Sequence, residues 1–194
     1  VAAKGPGGGT RVFSFDPSYG NIASLRANIL LNGVVDRVTP LPVALSDTTG
    51  RNVFALRSLE AGTARHVLGD TPSDEGPALY RQPVLTFRLD DLVQLADLPL
   101  PNHIKLDVDG GELAVLQGAA GTLQSPSLRS VLIEVSTSMS EAITTALAAH
   151  GLRLDSKVNV QSRTGEYLVW YGLFTRNVPG GPSPDGLAVE VVSR

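Results

Sequence analysis

At 194 residues, with 42% apolar and 18% charged side chains, the chain can form one domain with a sizeable core and shows no sign of a second. Its 16 basic and 19 acidic residues leave a net charge of −3 without any Lys/Arg cluster, so it lacks the electrostatic footprint of a nucleic-acid binder. Having no cysteine, it excludes disulfides, zinc–thiolate centres and cysteine nucleophiles, and no apolar run approaches the roughly 20 residues of a membrane helix. No secretory signal is visible, so the expectation is a cytoplasmic protein with no nucleic-acid partner and no membrane span, its oligomeric state open.

Residues 1–10 read as the end of a helix running into a glycine turn. They do not make a dinucleotide-binding loop, which follows a strand, opens a helix and has its acidic partner about 20 residues on. Here Asp16 follows Gly9 by only seven positions. Arg11–Phe15 alternates as a strand, and Asp16-Pro17 stops it. An acid at such a strand end accepts hydrogen bonds from both ribose hydroxyls in nucleotide-binding α/β units, a task suited to a side chain with two acceptor oxygens. It equally suits the cap of a helix started by Pro17-Ser18. Ile22, Leu25, Ile29 and Leu30 give helical spacing over Ser18–Asn32, closed by Gly33. Val38–Leu45 reads as a strand broken by Pro40 and Pro42, with Ser46-Asp47 at its end, and Asn52–Leu56 as a strand able to pair with Val84–Phe87.

Between those two strands, Arg57–Gln82 is weakly patterned, and a loop of this length in a compact domain is commonly functional or disordered. It holds His66, a candidate general base because imidazole titrates near neutrality, although a solitary loop histidine is more often unremarkable. Leu89–Leu95 reads as a short helix. Pro99 and Pro101 then lead into the most informative stretch, Lys105-Leu-Asp-Val-Asp-Gly-Gly-Glu112. His103–Val108 alternates as a buried strand, Asp107 and Asp109 cluster where it ends, and Gly110-Gly111 permit a sharp turn. Leu113, Leu116, Ala120 and Leu123 continue at helical spacing. In open α/β sheets ligands bind outside the carboxyl ends of strands, so these acids stand where chemistry occurs. As purely structural groups they would favour the helix N-terminus, a role that fits Glu112.

Ser130–Val135 is the continuous apolar run of a buried parallel strand, with Glu134 near its end. Ser140–His150 is a helix closed by Gly151, and Leu152–Val160 with Tyr167–Thr175 read as an antiparallel pair. Residues 177–194 read as a turn-rich tail in which Leu187–Val192 adds at most an edge strand.

Alternating strands and helices imply a mostly parallel sheet covered on both faces, with acids at three strand ends suiting a nucleoside-containing ligand. The ordered series Val12-Phe-Ser-Phe-Asp-Pro17, Asn28–Asn32, Val43-Ala-Leu-Ser-Asp47, Leu89-Asp-Asp-Leu92, Ile104–Glu112, Val115-Leu-Gln-Gly118 and Leu132-Ile-Glu134 resembles the FkbM-type S-adenosylmethionine-dependent methyltransferases over roughly residues 11–150. The resemblance implies an α/β class I methyltransferase fold (Rossmann-like). Its mostly parallel seven-stranded sheet would have an antiparallel last strand and helices on both faces. It also implies methyl transfer from S-adenosyl-L-methionine to a hydroxyl of a sugar, lipid or polyketide-type small molecule.

Carried over residue by residue, Asp16 with Pro17 takes the place of the family's ribose-binding acid, with Asp for the usual Glu. Ala44, Leu45 and Ser46 would border the adenine. Asp107 would lie beside the methyl donor, positioning the substrate or accepting its proton, with His66 as the second candidate base. Asp109, Glu112 and Glu134 are assigned to substrate or structure, and Lys105 to pairing with an acid. Asp107, Asp109 and Glu134 are also hard oxygen donors of the kind a divalent metal takes, although the primary reading needs no metal. The family's opening strand and D-x-G-A-N-x-G-like glycine loop have no counterpart in residues 1–194, so the expected domain, residues 1–176, lacks its first strand. The favoured expectation is that the native protein carries that segment ahead of Val1, and the alternative is a truncated, inactive homologue. Two other classes stay open: a non-catalytic or truncated Rossmann-like binding module, and a nicotinamide-dependent oxidoreductase. Binding of an S-adenosyl ligand, of NAD, or of neither separates them.

Overall fold

The computed structural model describes residues 9–58, 67–69, 77–161, 167–176 and 188–192. The buried strand β1 (Val12–Phe15) leads into α1 (Tyr19–Leu31) and the short β2 (Val38–Leu41). Then come β3 (Ala44–Leu45), β4 (Gly50–Leu56), β5 (Val67–Leu68) and β6 (Tyr80–Phe87). The next unit is α2 (Leu89–Leu95), β7 (His103–Asp107), α3 (Glu112–Gly118), α4 (Ala120–Gln124) and β8 (Ser130–Ser136). A single 3-10 turn (Thr137–Met139) enters α5 (Ser140–Ala149), followed by β9 (Arg153–Gln161), β10 (Tyr167–Thr175) and β11 (Ala188–Val192).

Among the described residues the larger sheet has seven strands in the order β2-β1-β11-β7-β8-β10-β9. The pairings from β2 to β8 are parallel, and those of β10 with β8 and β9 are antiparallel, so the sheet is mixed. Successive strand residues point to opposite faces. Val12 accordingly packs with Ile29 and Val34 beneath α1, while Phe13 and Phe15 join Leu106, Leu116, Ile133 and Ile143 in the main core. Helices thus cover both faces. The outer edges are blunted: β2 carries Pro40, and β9 has a register irregularity near Leu154 and carries Lys157.

Four expectations need correction. Ala188–Val192, inside the stretch read as an edge strand at most, forms β11 in the middle of the sheet, between β1 and β7. Its alternation could not reveal which strands it would join. Val38–Leu45 is two strands in different sheets, since Pro42 has no N–H to donate and the Val43 N–H turns back to the Leu41 carbonyl at 2.9 Å. β3 pairs instead with β6, in a second sheet of order β3-β6-β4-β5. The expected pairing of Asn52–Leu56 with Val84–Phe87 is present, but the ladder runs on to Leu56↔Tyr80, well inside the stretch read as loop.

Finally, the helix after Glu112 breaks at Ala119 (φ −111°) into α3 and α4. Gly118 shows why. A Cβ there would lie 2.0 Å from the Ser46 carbonyl oxygen and 3.2 Å from the Arg88 Cα, so the end of α3 is pressed against backbone. Asp90 holds the start of α4, accepting from the Gly121 and Thr122 N–H groups and the Thr122 hydroxyl, each at 2.8 Å.

Candidate active site

Phe15 and Leu106 are both in register with Val191 of β11, which places the ends of β1 and β7 at one level with a single strand between them. Asp16 and Asp107, the next residues along, therefore stand roughly 10 Å apart, two strand spacings. From β1 the chain crosses over to β2 in one direction, and from β7 to β8 in the other. Where crossovers diverge, a crevice opens beyond the carboxyl ends of the strands. These two acids flank it.

Asp16 is 6% exposed, and its oxygens accept from the Ser18 N–H at 2.8 Å and the Asn21 Nδ2 at 3.0 Å. Burial raises its pKa from 3.8 to about 6 in spite of those two hydrogen bonds, which favour the carboxylate. The helix cap is a different residue: the Ser18 hydroxyl accepts from the Asn21 N–H at 3.3 Å. Asp16 is thus a costly buried acid that α1 does not need as its cap, and each of its oxygens retains a further lone pair. The Pro17 carbonyl accepts from the Nε2 of Gln82, itself 2% exposed, and this ties the second sheet to the Asp16 turn.

Ala44, Leu45 and Ser46 are buried just beyond the end of β2. Leu45 belongs to the main core, and Ser46 is gripped between the Phe87 carbonyl, which accepts its N–H at 2.9 Å, and Gly118. Asp107 is buried and faces Lys105, with Nζ 3.4 Å from Oδ2. Asp109 takes the left-handed conformation (φ +48°) and Gly110 follows at φ +98°, making the sharp turn foreseen there. Glu112 folds back over that turn to accept from the Gly110 N–H at 3.1 Å. Its pKa is raised by burial and, more weakly, by the negative charge of Glu134, against the lowering effect of backbone hydrogen bonds.

Asp107, Glu112 and the half-buried Glu134 therefore gather at the ends of β7 and β8. Among the described residues, however, no three such side chains converge closely enough to hold a metal ion. His66 lies outside the described residues. Gln82 was missed in the sequence because hydropathy points the wrong way in β6, where Gln82 is buried and Leu85 is 54% exposed. His103, bonded to the Ser130 hydroxyl at 2.7 Å, sits at the amino end of β7, away from the crevice.

This sheet order and the acids beside its divergence point define an α/β protein of the type that holds ligands across its strand ends. Comparison with known proteins narrows the class. The chain belongs to the methyltransferase FkbM domain family, whose model matches residues 2–155. It is 27% identical over 158 residues to the hexuronic acid methyltransferase AglP of Haloferax volcanii, a match covering 81% of this chain and 60% of that protein. It shares its fold with the methyltransferase FkbM of Methylobacillus flagellatus KT, known from its crystal structure, at a TM-score of 0.54 and 17% identity. That likeness covers 84% of this chain and 36% of the other. Among the described residues, no helix is long and apolar enough to cross a membrane.

Proposed function

We propose that this chain is the core of an S-adenosyl-L-methionine-dependent O-methyltransferase acting on a hydroxyl of a sugar-type small molecule. The observation that carries the reading is Asp16, a buried carboxyl beyond what the helix cap requires, at the divergence point of a sheet in an FkbM-family chain. The relative named as a hexuronic acid methyltransferase supports the sugar class of acceptor. In this reading the seven-stranded sheet is a class I methyltransferase sheet with β11 standing where its first strand is expected.

The donor set fits the nucleoside half of the cofactor. Asp16 offers two oxygens at a strand end to a ribose diol, and the buried Ala44–Ser46 backbone lies beyond the neighbouring strand. When bound, the cofactor supplies an electrophilic methyl group. The chain's own contribution is placement and proton handling. Asp107, beside Lys105, holds the acceptor hydroxyl by hydrogen bonding and takes its proton as the oxygen–carbon bond forms. A carboxylate is a weak base for an alcohol, so fixing the hydroxyl in line supplies more of the rate than proton removal. Lys105, 3.4 Å from its Oδ2, holds the Asp107 carboxyl in place. His66 is the second candidate base.

Calorimetric titration with S-adenosylhomocysteine tests this reading. Saturable binding, weakened at least about 10-fold by Asp16→Ala, is expected. Undiminished binding in the variant would remove Asp16 from the site, and binding of NAD instead would make the protein an oxidoreductase.

A further inference from the structure

Asp16 is held through a peptide group. The Ser18 N–H that donates to its Oδ1 at 2.8 Å belongs to the Pro17–Ser18 peptide, and the carbonyl of that same peptide accepts from Gln82 Nε2. A carbonyl can only accept, so the Gln82 amide must turn its nitrogen towards it. Side-chain amide, peptide and carboxylate thus form one unbroken relay from β6 to the end of β1. Asp16, Pro17, Ser18 and Gln82 are all buried. A hydrogen bond at a peptide oxygen polarises the peptide and strengthens its N–H as a donor, most of all where water is excluded. The relay also fixes geometry. The proline ring locks φ at Pro17, so the peptide plane turns only about Pro17 ψ and Ser18 φ, and bonds at both its ends stop that rotation. A second tie runs in the opposite direction, from the Tyr19 hydroxyl to the Pro83 carbonyl at 3.4 Å. Two successive residues of β6 therefore grip the turn that carries Asp16.

Packing does not call for an amide at this place. Gln82 stands opposite Phe54 in the β4–β6 ladder, and Phe54, Leu56 and Val84 form an apolar cluster. A buried amide there is costly unless its hydrogen bonds are made, and the bond its nitrogen makes leads to the Asp16 turn. Resting on the nucleoside-ligand reading above, we propose that Gln82 is a positioning residue for the cofactor: acting through the Pro17–Ser18 peptide, it orients the Asp16 carboxylate that receives the ribose diol. Through it the smaller sheet acts on the ligand affinity of the larger one.

Carbon-13 NMR titration of the Asp16 carboxyl in the ligand-free chain, with calorimetry of S-adenosylhomocysteine binding, tests the proposal on two variants. Gln82→Met keeps the bulk of the side chain and removes its donors. Burial raises the Asp16 pKa while the Ser18 N–H and the Asn21 amide lower it, so a weakened Ser18 donor should lift the midpoint further above about 6. A rise of about one pH unit is expected, with probe binding weakened about 10-fold. Val84→Ala loosens the apolar cluster of the same sheet without touching the relay, and should lower stability while leaving midpoint and affinity unchanged. The proposal is overturned if Gln82→Met leaves both readings as in the unaltered chain, or if Val84→Ala moves them as far. Should Gln82→Met fail to fold, nitrogen-15 NMR of the unaltered chain decides. The side-chain amide protons of Gln82 are expected to exchange slowly, and their signals to shift when the probe saturates the site. Fast exchange, or signals that the probe leaves in place, would overturn the proposal. If the unaltered chain binds no probe, the methyl-donor reading falls and the cofactor half of the proposal with it, whereas the ligand-free midpoint of Gln82→Met still judges the hold on Asp16.

Discussion

Two turns in this molecule have the same outline, a buried strand ending in acids and followed by a helix, yet they use those acids differently. After β7, Glu112 is occupied by its own backbone: it closes the Asp109–Gly110 turn by accepting the Gly110 N–H. After β1, the cap is Ser18, and Asp16 remains as a second buried acid with a pKa near the middle of the accessible range, about 6. Both acids are buried and both accept a backbone N–H, Asp16 from Ser18 and Glu112 from Gly110, but only Asp16 stands beside the point where the crossovers diverge. An acid that the surrounding structure makes expensive, beside a crevice, is the better candidate for ligand binding.

Substitutions can break or sharpen that contrast. The largest effect is expected on the architectural side. Gly118→Val drives a side chain into the Ser46 backbone and should lower stability by about 3 kcal/mol or more, read by denaturant unfolding. Next is Asp16→Asn, expected to weaken S-adenosylhomocysteine binding at least about 10-fold. The stability of the ligand-free chain should change by the buried charge removed less the hydrogen bond lost, since an amide keeps one acceptor oxygen for two donors. The first contribution follows from linkage. The folded chain holds the Asp16 proton more tightly than the unfolded one, so stability is lost as pH rises from 3.8 to about 6 and is level above that. The loss at neutral pH is on the order of 3 kcal/mol, which sets the upper bound of any gain.

Glu112→Ala removes the acceptor of the Gly110 N–H and should lower stability by about 1 kcal/mol, with ligand affinity retained in the folded fraction. Loss of affinity in Glu112→Ala without loss of stability would erase the distinction between the turns. Smallest is Asp109→Asn. Asparagine tolerates the left-handed backbone as aspartate does, so stability and affinity should each move by less than about 0.5 kcal/mol.

Strands and helices with clear periodicity were legible in the sequence, as were the sharp turn at Asp109–Gly110 and both acids flanking the crevice. What escaped depended on long-range partners. The close packing that requires glycine at 118 is set by Ser46, more than seventy positions earlier in the chain. β6 reaches back to Tyr80 opposite Leu56, with Gln82 buried against the Pro17 carbonyl, a partner no local pattern announces. The motif residues Asp90 and Gly118 carry the resemblance for reasons of packing: one holds α4 and the other lets α3 approach Ser46. β11 is the extreme case. A five-residue alternating segment reads as a strand, while its pairing with β1 and β7 involves partners far away in the sequence.

The most direct measurement is a carbon-13 NMR titration of the Asp16 carboxyl, without ligand and then saturated with S-adenosylhomocysteine. In the free protein a midpoint near pH 6 is expected. In the complex it should fall, because hydroxyl donors favour the carboxylate, and affinity should accordingly rise with pH through the same range. An ordinary carboxylate midpoint near pH 4 that the ligand leaves unmoved would contradict the assignment of Asp16 as the acid held in reserve for the ligand.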